Sequence, residues 1–193
     1  MLTALTEETI GHLQLGAGVF LMSIDLDSPA DPEALRREIA SALTHPHNTL
    51  GYTTGGGWFR CVPALRSPQQ EARRPATLDD TILDGWSVTL TGTLVELTPE
   101  RLRLLLPGSQ IQRTGRVAAL TLSSRLNAAH YLPQLVWVGD TTRGLVAIEL
   151  NNALSVPGAA FHFVDRGEGT LPFEFRASCE AGSGSPCRVL FLE

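Results

Sequence analysis

The residues able to carry chemistry are few and scattered. His45-Pro46-His47 is the one close histidine pair. The proline fixes it in an extended stretch, and no cysteine or carboxylate stands at zinc-ligand spacing beside it. His12, His130 and His162 are solitary, and His162 lies between Phe161 and Phe163, where strand alternation turns it away from both. Asp79, Asp80 and Asp84 form the densest acidic cluster. Paired carboxylates do acid–base work when buried together, but this polar stretch bounded by Gly and Pro suits solvated charges, or partners for arginines of another subunit. Gly182-Ser183-Gly184-Ser185-Pro186 departs from the nucleophile-elbow pattern, and Gly16-Ala17-Gly18 and Gly167-Glu168-Gly169 lack the third glycine of a dinucleotide fingerprint. All 15 basic residues are arginine, which excludes a P-loop lysine, a Schiff-base lysine and a lysine general base. The expectation is a chain with no catalytic residues, no metal and no cofactor, and hence not an enzyme.

The elements that must position these residues are mostly strands. A helix is expected after Thr6-Glu7-Glu8, ending at Gly16-Ala17-Gly18, followed by a strand over 19–24. Asp31-Pro32-Glu33 opens the strongest helix signal, an insert over 31–44. Asp31 accepts from the first-turn amides, and Pro32 sits where a missing N–H costs nothing. Leu35, Ile39, Ala42 and Leu43 fall on its apolar face. Residues 44–85 read as a long irregular region holding one short strand at 58–62, with a long loop over 63–84. Residues 86–97 alternate: Trp86, Val88, Leu90 and Leu94 face a dry side, and Ser87, Thr89, Thr91 and Thr93 a polar one. Thr98-Pro99-Glu100 starts a second helix, which Pro107-Gly108 ends. Strands are expected at 117–122, 135–138, 145–150, 159–164, 171–177 and 188–192, with a short helical or irregular connection at 126–132. This string predicts a mainly β fold: one domain over 1–193, an antiparallel sandwich or barrel with one or two flanking helices.

Composition sets the remaining limits. Of 193 residues, 43% are hydrophobic, enough for a real core rather than a disordered chain. No apolar run approaches the roughly 18 residues of a membrane span, and the N-terminus lacks the basic and apolar regions of a secretory signal. Cys61, Cys179 and Cys187, odd in number and widely spaced, read as free thiols in a reducing compartment. Cys179 and Cys187 are placed where a hairpin would let them meet. The net charge of −5 argues against tight duplex binding, which needs a basic footprint.

His12-Leu13-Gln14-Leu15-Gly16-Ala17-Gly18-Val19-Phe20-Leu21 and Gly51-Tyr52-Thr53-Thr54-Gly55-Gly56-Gly57-Trp58-Phe59 resemble the N-terminal third of the major tail tube proteins of long-tailed, siphovirus-like bacteriophages and prophages. The segment running from Trp86 through Glu100 is similar to that family's strand-then-helix passage. Leu135-Val136-Trp137-Val138-Gly139-Asp140, Asn151-Asn152-Ala153-Leu154-Ser155 and Phe173-Glu174-Phe175 continue the resemblance in the same order over nearly the whole chain. The resemblance implies a viral structural protein of the virion tail, assembled in the bacterial host cytoplasm. It implies homohexameric rings stacked into a hollow conduit for DNA ejection, with a long loop joining successive rings. The implied partners are the chain itself, a tape measure protein inside the tube, tail terminator and distal tail or baseplate proteins, and viral DNA in transit without sequence-specific binding; no membrane is implied. The insert at 31–44 departs from the shorter connection more usual in that family, and a helix there would decorate the tube's outside.

Two expectations follow. Six copies of a −5 chain carry about −30, so an acidic lumen would repel phosphate, and Thr89, Thr91 and Thr93 are candidates for a hydrated wall without long cations. Arg66, Arg73 and Arg74 with Asp79, Asp80 and Asp84 are candidates for pairing between rings. The alternatives are a secretion-system tube or tail-terminator protein of the same fold, or a non-enzymatic β-sandwich binding or decoration module. The last needs an aromatic platform, for which Tyr52, Trp58 and Phe59 cluster, although packing in a strand core explains those three more simply.

Overall fold

The computed structural model describes residues 18–22, 24, 26, 32–67, 81–141, 144–167, 169–179 and 184–192. The expected helix before Gly16, the cap Asp31, and Arg73, Arg74, Asp79 and Asp80 lie outside them. The elements in chain order are β1 (Gly18–Met22), α1 (Pro32–Leu43), β2 (Phe59–Arg66), β3 (Ile82–Leu94), α2 (Pro99–Leu105), β4 (Ser109–Thr114), β5 (Val117–Leu122), β6 (Leu132–Thr141), β7 (Gly144–Ser155), β8 (Leu171–Arg176) and β9 (Cys187–Leu192). The fold is mainly β. Seven strands form one antiparallel sheet in the order β1-β6-β7-β8-β3-β2 with β9 also on β7, and β4 and β5 form a separate ribbon.

Strand β7 makes the large sheet double over. Its residues Leu145–Leu150 pair with β9, and then Leu154 and Ser155 pair with β8. Asn152, with φ of 46°, stands at this hand-over, and asparagine is among the few residues that tolerate the left-handed region. The sheet thus becomes two layers, β1-β6-β7-β9 and β8-β3-β2. Between them lies a core of Phe20, Met22, Val88, Leu90, Leu94, Leu135, Leu150, Phe173 and Phe175, closed by Leu105 of α2. Phe20 and Phe173 meet edge to face at 5.1 Å. Gly92 lies beneath that pair: a Cβ there would stand 2.5 Å from the Phe173 ring.

The period of two along β1 and β6 sends the intervening residues to the opposite face. Leu21, Val136 and Val138, with Ala147 and Leu192, form a second core against Leu35, Ile39 and Ala42 of α1. The spacing of those three helix residues is that of one helical face. Leu43, expected on the same face, is exposed, because the packed stripe ends at Ala42. Helix α1 therefore covers the outer side of β1-β6-β7-β9 and forms a third layer.

Helix α2 starts as its sequence dictates: Thr98 Oγ1 accepts from the Arg101 amide at 3.2 Å, with Pro99 in the first turn. Arg101 is buried and donates to the Pro46 carbonyl at 2.8 Å, tying the helix to the short 3-10 turn at Pro46–Asn48.

Several expectations need correction. The region 44–85 is less irregular than expected: β2 runs on through Pro63 to Arg66, and β3 begins at Ile82. Proline is admitted because β2 is an edge strand. Residues 159–164 form no strand, only an isolated bridge from His162 to Thr170. Phe161 and Phe163, expected to share one face of a strand, stack on each other at 6.1 Å in an exposed loop. Strand β4 was not expected, because Ser109–Thr114 lacks apolar alternation and is ordered by pairing with β5.

Candidate assembly surface

Beyond the packed layers, β2 and the first half of β3 continue as a two-stranded ribbon. The register pairs Cys61 with Val88, Pro63 with Trp86 and Arg66 with Ile82, with a bulge between Ala64 and Leu65. Val88 is fully buried, whereas Trp86, Leu83 and Ile82 before it on β3 are exposed. Val62, Leu65, Ile82, Leu83 and Trp86 are all exposed, Leu65 to 61% and Trp86 to 49%. Trp86 has the parity of the dry side, as its spacing predicts. It is nevertheless wet, because the strand has left the sandwich by that point.

A lone two-stranded ribbon is marginal in water, and contiguous exposed apolar side chains mark an interaction surface. Across the ribbon Arg66 Nε reaches Asp84 Oδ2 at 3.0 Å and its NH2 group reaches Oδ1 at 3.2 Å. Two of the six charged residues expected to pair between rings thus meet within one chain. Arg73, Arg74, Asp79 and Asp80 fall outside the described residues, in the connection between the two strands. Sequence reasoning picked out the charges and missed the apolar positions. The signal was Ile82-Leu83 beside a polar loop.

A second ribbon, β4–β5, leaves Val117 and Leu122 exposed. Its Arg113 pairs with Glu100 in the first turn of α2. A backbone hydrogen bond at its own position, aided by the Arg113 guanidinium and opposed by desolvation, holds the Glu100 carboxyl below its ordinary value. Tyr52 and Trp58, expected to pack in a strand core, are exposed, Trp58 to 80%, while Phe59 does pack against the core. Residues 53–58 run along β3 as a partial strand, with the Thr54 amide on the Thr93 carbonyl and the Thr91 amide on the Trp58 carbonyl, each at 2.9 Å. Behind them a cavity of about 480 Å³ opens between the layers, lined by Phe20, Trp58, Phe59, Trp137 and Ile148 among others.

The threonine row lies on the outer face of β8-β3-β2, opposite the core; Thr91 and Thr93 are half-buried there, but Thr89, expected to be hydrated, is buried. Thr91 Oγ1 accepts from the Trp58 amide at 2.9 Å. The register sets Thr89 between Arg60 of β2 and Arg176 of β8, and Thr91 beside Glu174. Cross-strand partners project to one face, so this surface carries two arginines and is not the cation-free wall expected. Among the described residues, no group of three or more His, Cys, Asp or Glu side chains is arranged to hold a metal ion, and no helix is long and apolar enough to cross a membrane. The chain matches no family model and no curated protein sequence.

Proposed function

We propose that this chain is a structural rather than catalytic protein, a self-assembling subunit of the tail-tube type whose rings of six stack into a hollow conduit for DNA. The observation that carries the reading is the β2–β3 ribbon, which presents Val62, Leu65, Ile82, Leu83 and Trp86 to water beyond the packed layers. Such a surface favours burial against a partner, and a second copy supplies an identical ribbon and complementary edges. The ordered resemblance of the sequence to tail tube proteins supports the choice of a ring over an open aggregate. The tape measure, terminator and distal tail proteins are its partners in this reading, and the virion tail its place.

Helix α1 covers the outer side of β1-β6-β7-β9. The face left for the lumen is therefore the threonine-bearing side of β8-β3-β2. There Glu174 and the chain's net negative charge offset Arg60 and Arg176, keeping DNA in transit from being held. The alternative of a binding or decoration module draws on the cavity beside Trp58 and Trp137.

Replacing Leu65, Leu83 and Trp86 together by serine tests the reading. The variant keeps its melting transition but forms no stacked tubes in electron micrographs. Tubes of normal length from the variant would refute the ribbon's role.

A further inference from the structure

A cleft of about 670 Å³ opens where the end of β7 meets the end of β8, with α2 and β5 supplying its far wall. Leu154 of β7 is the cross-strand partner of Arg176 of β8, and the pairing runs one step further, where the Val156 amide donates to the Glu174 carbonyl at 3.1 Å. Ser155 and Phe175, the next pair in register, are both buried, Phe175 in the core between the layers. Alternation therefore sends Leu154, Val156 and Arg176 to the outer face, and all three line the cleft. The far wall is Leu106, just past α2, and Leu122, the last residue of β5. Backbone bonds fix that wall: the Ser123 amide donates to the Gly108 carbonyl at 2.9 Å, and the Ser109 amide to the Leu106 carbonyl at 3.1 Å.

Two features of this cleft point to a ligand. Its apolar wall is wet, with Leu122 and Val156 both exposed. Its one charged group among the described residues is Arg176, which makes no hydrogen bond or ion pair with any of them. Glu174, two residues earlier on the same face, does not line the cleft. We propose that the cleft binds a small amphipathic carboxylate, its head on the Arg176 guanidinium and its aliphatic body against Leu106, Leu122, Leu154 and Val156. A guanidinium holds a carboxylate through two parallel N–H bonds. One arginine matches the single charge of a carboxylate, whereas a phosphate, with nearly two charges, is left half neutralised. Apolar walls with a few polar groups that fix orientation are the usual make-up of a small-molecule site. This inference does not depend on the tube reading, since it uses neither the β2–β3 ribbon nor a contact between copies.

The test titrates decanoate, kept below the concentration at which it forms micelles, into the full chain by isothermal titration calorimetry, with decanol as the neutral analogue. The expected result is saturable binding of one decanoate per chain, tighter than decanol by about tenfold or more. Arg176→Gln removes that preference and weakens decanoate by the same factor. Val156→Glu sets a second carboxylate against the head and weakens decanoate as well. Both positions are exposed, so each variant keeps the parent's melting transition. Absence of saturable binding, equal affinity for decanol, or decanoate binding that neither variant weakens would overturn the proposal.

Discussion

Glu149 shows how a single residue depends on a register its neighbours in sequence do not reveal. It sits in an apolar strand, Leu145-Val146-Ala147-Ile148-Glu149-Leu150, and is only 1% exposed. Its carboxylate accepts from Arg188 at 2.8 Å and 2.7 Å, through Nε and the NH2 group. Pairing of β7 with β9 sets the two residues opposite each other. Arg188→Met strands a buried carboxylate, and breaking such a pair costs about 3–5 kcal/mol; the part exposure of Arg188 puts this case near the lower end. Urea unfolding measures it, and a loss below about 1 kcal/mol would contradict the account of this pair. The strand around Glu149 was legible from its apolar run, but its partner was not, because the match depends on a pairing 39 residues away. Thr98 is the contrasting case: its capping role is written in three consecutive residues, and the structure realises it.

Among the elements, α1 was the most legible, because Leu35, Ile39 and Ala42 repeat at helical spacing after Pro32. What the spacing could not supply was the surface that receives them, the outer face of β1, β6 and β7. Ile39→Ala opens a cavity at that contact and is expected to cost about 2–5 kcal/mol, whereas Leu43→Ala, at an exposed position, stays within about 0.5 kcal/mol. Thermal or urea unfolding of the two variants separates them, and equal losses would show that α1 does not dock by this stripe. Strands with clear alternation, such as β5 and β8, were read almost to the residue. The polar strand β4 was invisible for the converse reason. Its Gln, Arg and Thr side chains carry no period, and it owes its form to the backbone of β5 and the turn at Gly115. The β2–β3 ribbon was half legible: its alternation predicts two faces, but nothing local announces that burial on β3 begins only at Val88.

Among the described residues, the surfaces that bear on assembly are the apolar β2–β3 ribbon in water and a polar outer sheet face with its row of threonines between charged neighbours. Mainly β architecture followed from strand count and turn spacing in the sequence. The doubling-over at Asn152 did not, since it depends on which strands β7 pairs with along its length. A monomer leaves both surfaces in water, and the proposed ring would give both a place. Electron microscopy of the purified full chain at high concentration bears on this most directly. The account predicts six-fold rings of about 125 kDa, from subunits of 20.8 kDa, stacking into hollow tubes. A uniform population of compact monomers under the same conditions would contradict it.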